Sequence, residues 1–166
     1  MVSEEDVQFV LNEFKLYSYY DKKRKNAIKL KEKIEYEMQG VHSPSFDSSR
    51  GSGGIPREQK LLLQSNRKDE IEEYIQNIKN YELKLSSSIL IKLKDSIIIS
   101  FIASHYINGD EIKTFLNNSP YNTESAILKV TKQVISKNIP SSIIVELKKQ
   151  KEIVEQSITN LERRSR

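Results

Sequence analysis

Cysteine and tryptophan are absent from this 166-residue chain, which has only two histidines, five glycines and four prolines. Without cysteine there is no disulfide, no thiolate metal ligand and no thiol nucleophile, which removes the secreted disulfide scaffolds. His42 and His105 lie far apart, too sparse for a zinc site or a nucleophilic triad. A lone histidine in such places is read as structural. No catalytic group, no metal and no cofactor is expected, and the chain is not read as an enzyme. Long apolar runs are lacking too. The most apolar stretch, 89–107, contains Lys92, Lys94 and Asp95, and its longest aliphatic run is Ile97–Ile99. A membrane span needs about 20 mostly apolar residues, so a buried helix over 89–106 is expected and no membrane partner. The opening MVSEEDVQFV is acidic where a signal peptide is basic, and the expected setting is the cytoplasm.

Charge and helical period are what the chain does have. Hydrophobic residues make up 37% and charged residues 30%, a balance that suits long amphipathic helices. Alanine occurs three times against 21 isoleucines and 20 lysines, a skew that reads as AT-rich coding and not as a demand of the fold. The formal net charge of +4 permits an anionic partner. Its distribution is uneven, because Lys22, Lys23, Arg24, Lys25, Lys29, Lys31 and Lys33 face only Asp21 and Glu32.

The pattern predicts an all-α fold in five parts. Residues 1–39 read as one long N-terminal helix, opened by Ser3 with Asp6 and carrying Val7, Val10, Phe14 and Tyr17 on one stripe. Residues 40–56, GVHSPSFDSSRGSGGIP, form a flexible Ser/Gly/Pro linker. Its glycines lack the Gly-Lys-Ser/Thr ending and preceding strand of a phosphate loop. Residues 57–88 are a returning helix, with Ile71, Tyr74, Ile78, Tyr81 and Leu85 as an a/d seam that makes an antiparallel hairpin or coiled coil with the first. Residues 89–138 read as a helix-turn-helix-like bundle, and 139–166 as a heptad helix in which Lys151 is the polar a position.

The informative stretch is 97–137, where a core helix and a Tyr-Ile-Asn-Gly break come first. A short helix with Ile112, Phe115 and Leu116 on one face precedes a polar turn, Asn117–Asn122, and a second helix capped by Thr123. Such a second helix can enter the major groove of DNA. Asn122, Thr123, Glu124 and Ser125 would then approach base edges, while Lys129, Lys132 and Lys113 hold phosphates. The basic run supplies further candidate phosphate contacts at Lys22, Lys23, Arg24, Lys25 and Lys29, although such a run on a long helix is more often a solvated face.

Across GVHSPSFDSSRGSGG at 40–54, the helix from 57 to 85 and YINGDEIKTFLNNSPYNTESAILKV at 106–130, the chain resembles the phage late transcriptional regulators of the ArpU/RinA type. Tyr106, Ile112 and Leu116 match the family's positions. Lys113, Asn117 and Pro120 depart from its pattern, as does the heptad helix beyond 137. The resemblance implies a helix-turn-helix similar to region 4 of sigma factors. It also implies sequence-specific binding of double-stranded DNA, transcription regulation in a bacterial or phage-infected cell, and oligomerising or RNA polymerase-contacting helices. Small terminase subunits join similar parts. The competing expectation is a helical assembly adaptor, a homo-oligomer or a binder of another phage or host protein, that does not touch DNA.

Overall fold

The computed structural model describes residues 2–39 and 56–164, and these are all-α, with no β-strand among them. The seven helices are α1 (Glu4–Lys15), α2 (Tyr17–Gln39), α3 (Arg57–Leu83), α4 (Ser96–Phe101), α5 (Ile112–Leu116), α6 (Glu124–Asn138) and α7 (Ser141–Arg164). The linker expected at 40–56 lies outside the described residues except for Pro56.

The first helix is not continuous. Ser3 caps α1 by accepting from the Asp6 amide at 3.2 Å, as expected. At Leu16 the amide is shared between the Asn12 and Glu13 carbonyls, which tightens the turn and separates α1 from α2.

Ion pairs record how the long helices lie. Arg24–Glu82, Lys31–Glu72 and Lys68–Glu35 run in opposite order along α2 and α3, which makes the pair antiparallel. Lys84–Glu146, Asn77–Ser157 and Arg164–Glu70 do the same for α3 and α7. Asp6 and Glu13 of α1 meet Lys148 and Lys151, while Lys23 of α2 meets Glu162. The broken helix α1/α2, α3 and α7 therefore form a three-helix bundle. Among the described residues, α2 and α3 continue beyond the end of α7 as a two-helix arm. The expected seam residues Ile71, Tyr74, Ile78, Tyr81 and Leu85 are all buried in the bundle, as are Ile144, Leu147, Val154 and Ile158.

The apolar stretch behaves differently from the expectation of one helix over 89–106. The run begun by α3 continues through a π-helical segment, Lys84–Leu90, and a 3-10 turn, Ile91–Leu93. Lys94 then adopts a left-handed conformation, φ 56°, which stops it. Asp95 starts α4 anew, its carboxylate accepting from the Ile97 and Ile98 amides at 3.1 Å each. Two residues with strong local chemistry thus override the apolar pattern. After α4 a second π-helical segment, Ile102–Ile107, ends at Gly109, whose φ of +79° favours glycine.

This second layer packs on α1 and closes one end of the bundle. Ile127 and Ile135 of α6, Phe101 of α4 and Ile102 are fully buried there. Tyr106 receives the Lys15 ammonium 5.5 Å from its ring centroid.

One polar cluster lies inside the bundle. Glu13 is 0% exposed. Its carboxylate accepts from Tyr81 Oη at 2.5 Å, Tyr20 Oη at 3.2 Å and Lys151 Nζ, so all four helical segments of the bundle contribute. A buried charge is tolerated only when paired and hydrogen-bonded in this way. Burial and the adjacent Glu13 charge push the Tyr20 and Tyr81 hydroxyls well above their usual range.

Candidate nucleic-acid interface

The face proposed by sequence to meet DNA is built around α6. Thr123 accepts from the Ala126 amide at 3.2 Å and caps the helix. Ile127, Thr131 and Ile135 form its inward stripe at steps of four. Thr131 is the unexpected member; its hydroxyl donates to the Ile127 carbonyl at 2.7 Å and needs no other partner to be buried.

The opposite stripe, Ser125, Lys129, Gln133 and Lys137, is exposed along its whole length. Asn122, Thr123 and Glu124 are exposed as well, so the first turn of α6 is open to solvent and not covered by α7. Lys132 stands at the edge of this face, 3.9 Å from Glu4 of α1. Lys129 and Lys113 have no ion-pair partner among the described residues, and Lys113 is exposed on α5.

Two features depart from a compact helix-turn-helix. α5 has five residues, and seven residues, 117–123, separate it from α6, where the compact motif uses a turn of about 3–4. The brace is nevertheless apolar. Ile112, Phe115 and Leu116 are half-buried against the core, with Phe115 5.3 Å from Phe101 between ring centroids. Ser119 accepts from the Tyr121 amide at 3.1 Å and holds the turn.

The basic run of α2 divides in two. Lys23 pairs with Glu162, Arg24 with both Asp21 and Glu82, and Lys25 with Asp21 at 2.7 Å. Lys23 and Arg24 thus serve the bundle through acids of α7 and α3 that a local charge count does not include, whereas Lys25 pairs within α2 and stays exposed. Lys22 and Lys29 remain on the exposed side of the helix.

Ser104, His105 and Asp110 come together, but without the order of a nucleophilic triad. Ser104 Oγ donates directly to the Asp110 carboxylate at 3.1 Å, and His105 Nδ1 lies 2.9 Å from the Asp110 carbonyl. With its ring stacked on Phe101, His105 clasps the turn around Gly109. A triad needs the imidazole between hydroxyl and carboxylate.

Sequence reading missed Glu13 and Thr131. A trace of Glu13 was present, since it stands beside Phe14 and three residues after Val10 on the apolar stripe, opposite in sign to the polar heptad position Lys151. Among the described residues no helix is long and apolar enough to cross a membrane, and no group of acidic or histidine side chains is arranged to hold a metal. No protein-family model, no curated protein and no solved structure matches the chain.

Proposed function

We propose that the chain is a DNA-binding transcriptional regulator of the phage type, with α6 as its recognition helix. The observation that carries this reading is the two-sided character of α6. One stripe is locked in the core, while its capped first turn and the Ser125–Lys129–Gln133–Lys137 stripe are exposed to solvent. An exposed α-helix fits the roughly 12 Å major groove, and short polar residues at its start reach base edges. Lys129, Lys132 and Lys113 hold flanking phosphates, and the long bundle provides for self-association or polymerase contact.

Titration of the chain against its own upstream duplex at two salt concentrations tests the reading. Binding should weaken steeply with salt and be lost in Asn122→Ala/Lys129→Ala/Lys132→Ala, with far-UV circular dichroism unchanged. Unchanged affinity in that triple variant would remove α6 from the interface.

The adaptor reading draws on a separate place. On the two-helix arm, Leu62 and Leu63 are 61% and 57% exposed. Large exposed apolar side chains in neighbouring positions mark protein contact surfaces. Self-association without any duplex binding at low salt favours that reading.

A further inference from the structure

Resting on the DNA-binding reading, we propose that Lys92 and Lys94 act with Lys137 as a phosphate clamp that seats the duplex backbone beside α6. None of the three was singled out as a contact by sequence pattern. The long helical run stops at Lys94 beside α6, which places the turn carrying Lys92 and Lys94 next to the groove that Lys137 lines. Leu93 and Asp95, on either side of Lys94, share a shallow groove with Val130, Gln133, Val134 and Lys137. Lys92, Lys94 and Lys137 are exposed.

The charged residues that line the groove are Lys137 and Asp95, and the exposed Lys92 and Lys94 on the adjoining turn tip the balance toward an anion. The acid that lines it, Asp95, has its carboxylate engaged by two amides of α4. None of the three lysines has an ion-pair partner among the described residues. The bundle lysines Lys23, Lys31, Lys84, Lys148 and Lys151, by contrast, are each paired with an acid. The position along α6 also fits a duplex. From Ser125 to Lys137 the helix axis advances about 18 Å at 1.5 Å per residue. With the first turn of α6 in a groove about 12 Å wide, Lys137 and the 92–94 turn lie at the level of the bordering phosphate ridge. Contacts there position the protein and carry no sequence information.

The test uses the full chain and fluorescence anisotropy with two duplexes, the chain's own upstream DNA and a scrambled control, over a range of salt. The variant is Lys92→Ala/Lys94→Gly/Lys137→Ala, in which glycine at 94 removes the charge and suits the left-handed backbone. Each lost phosphate contact should flatten the slope of log K against log salt by about 0.9, giving about 2.7 for the three. The loss of affinity should be equal on both duplexes, and Lys92→Arg/Lys137→Arg should keep the wild-type slope. An unchanged slope in the triple variant, with the wild type binding normally, overturns the clamp and leaves α6 as the interface. A wild type that binds neither duplex at low salt overturns both, as does binding confined to single-stranded RNA or to protein.

Discussion

Replacing Glu13 with alanine should be among the most damaging single changes in the bundle. The carboxylate is fully buried, and its loss strands the Lys151 ammonium and two tyrosine hydroxyls, Tyr20 and Tyr81, without their acceptor. Removing one partner of a buried ion pair costs about 3–5 kcal/mol. The Lys151 side chain keeps 24% of its exposure and can turn in part toward water, so the lower end, about 3 kcal/mol, applies. The one lost methylene adds roughly 0.8 kcal/mol. The sum, about 4 kcal/mol, is a large share of the stability of an ordinary domain, about 5–15 kcal/mol. In urea, with a slope near 2 kcal/mol per molar, the midpoint should fall by about 2 M. Glu13→Gln tests the charge with the volume kept. It should cost about 2–3 kcal/mol, because an amide NH2 then faces groups that can only donate or prefer to. An all-apolar replacement, Glu13→Leu with Lys151→Met, Tyr20→Phe and Tyr81→Phe, should recover much of the loss, since no buried polar group remains unmatched. A midpoint shift equivalent to less than about 1 kcal/mol for Glu13→Ala would refute the reasoning. So would a quadruple variant no more stable than the single one.

Two further measurements address pH and the recognition helix. Burial raises the Tyr74 hydroxyl to about 12, and burial beside Glu13 raises Tyr20 and Tyr81 further. A tyrosine with its folded pKa above the unfolded value of about 10 stabilises fully below pH 10 and progressively less as pH rises through its folded pKa. Tyr74 alone accounts for roughly 2 kcal/mol by pH 12, so helicity should collapse between about pH 10 and 12. In an absorbance titration, some of the eight tyrosines should ionise only with that collapse, and one step near pH 10 with intact helicity would contradict it. Thr123→Ala removes the acceptor for the Ala126 amide and should cost about 1 kcal/mol in thermal unfolding. On the DNA-binding reading it also weakens duplex affinity by fraying the first turn of α6, whereas an effect on stability without one on affinity would place the contacts elsewhere.

Much of the helical order follows from local rules. Heptad spacing located the buried faces of α3 and α7, and Ser3 and Thr123 announced the starts of α1 and α6 because a capping hydroxyl acts within three residues. The break at Lys94 was hidden, since a left-handed lysine has no sequence signal comparable to glycine and apolar runs stand on both sides of the polar segment 92–96. The division between α1 and α2 at Leu16 was hidden as well, because only a shared amide marks it.

For the candidate site the boundary falls between residue type and residue partner. The sequence by itself determined an all-α chain without cysteine, with a capped helix from Thr123 and a cationic stretch at Lys22–Lys33. Only the tertiary structure decided which cations are spent inside the protein. Lys23 and Arg24 are matched by acids on α7 and α3, while Lys129 and Lys137 are left facing outward on α6. Charge balance along a chain sums neighbours in sequence, but Coulomb pairing acts over a few ångströms between residues that folding brings together. Glu13 follows the same rule. A carboxylate on an apolar stripe looks like a fault in a single helix, and becomes the shared acceptor of the bundle once α2, α3 and α7 supply two hydroxyls and an ammonium.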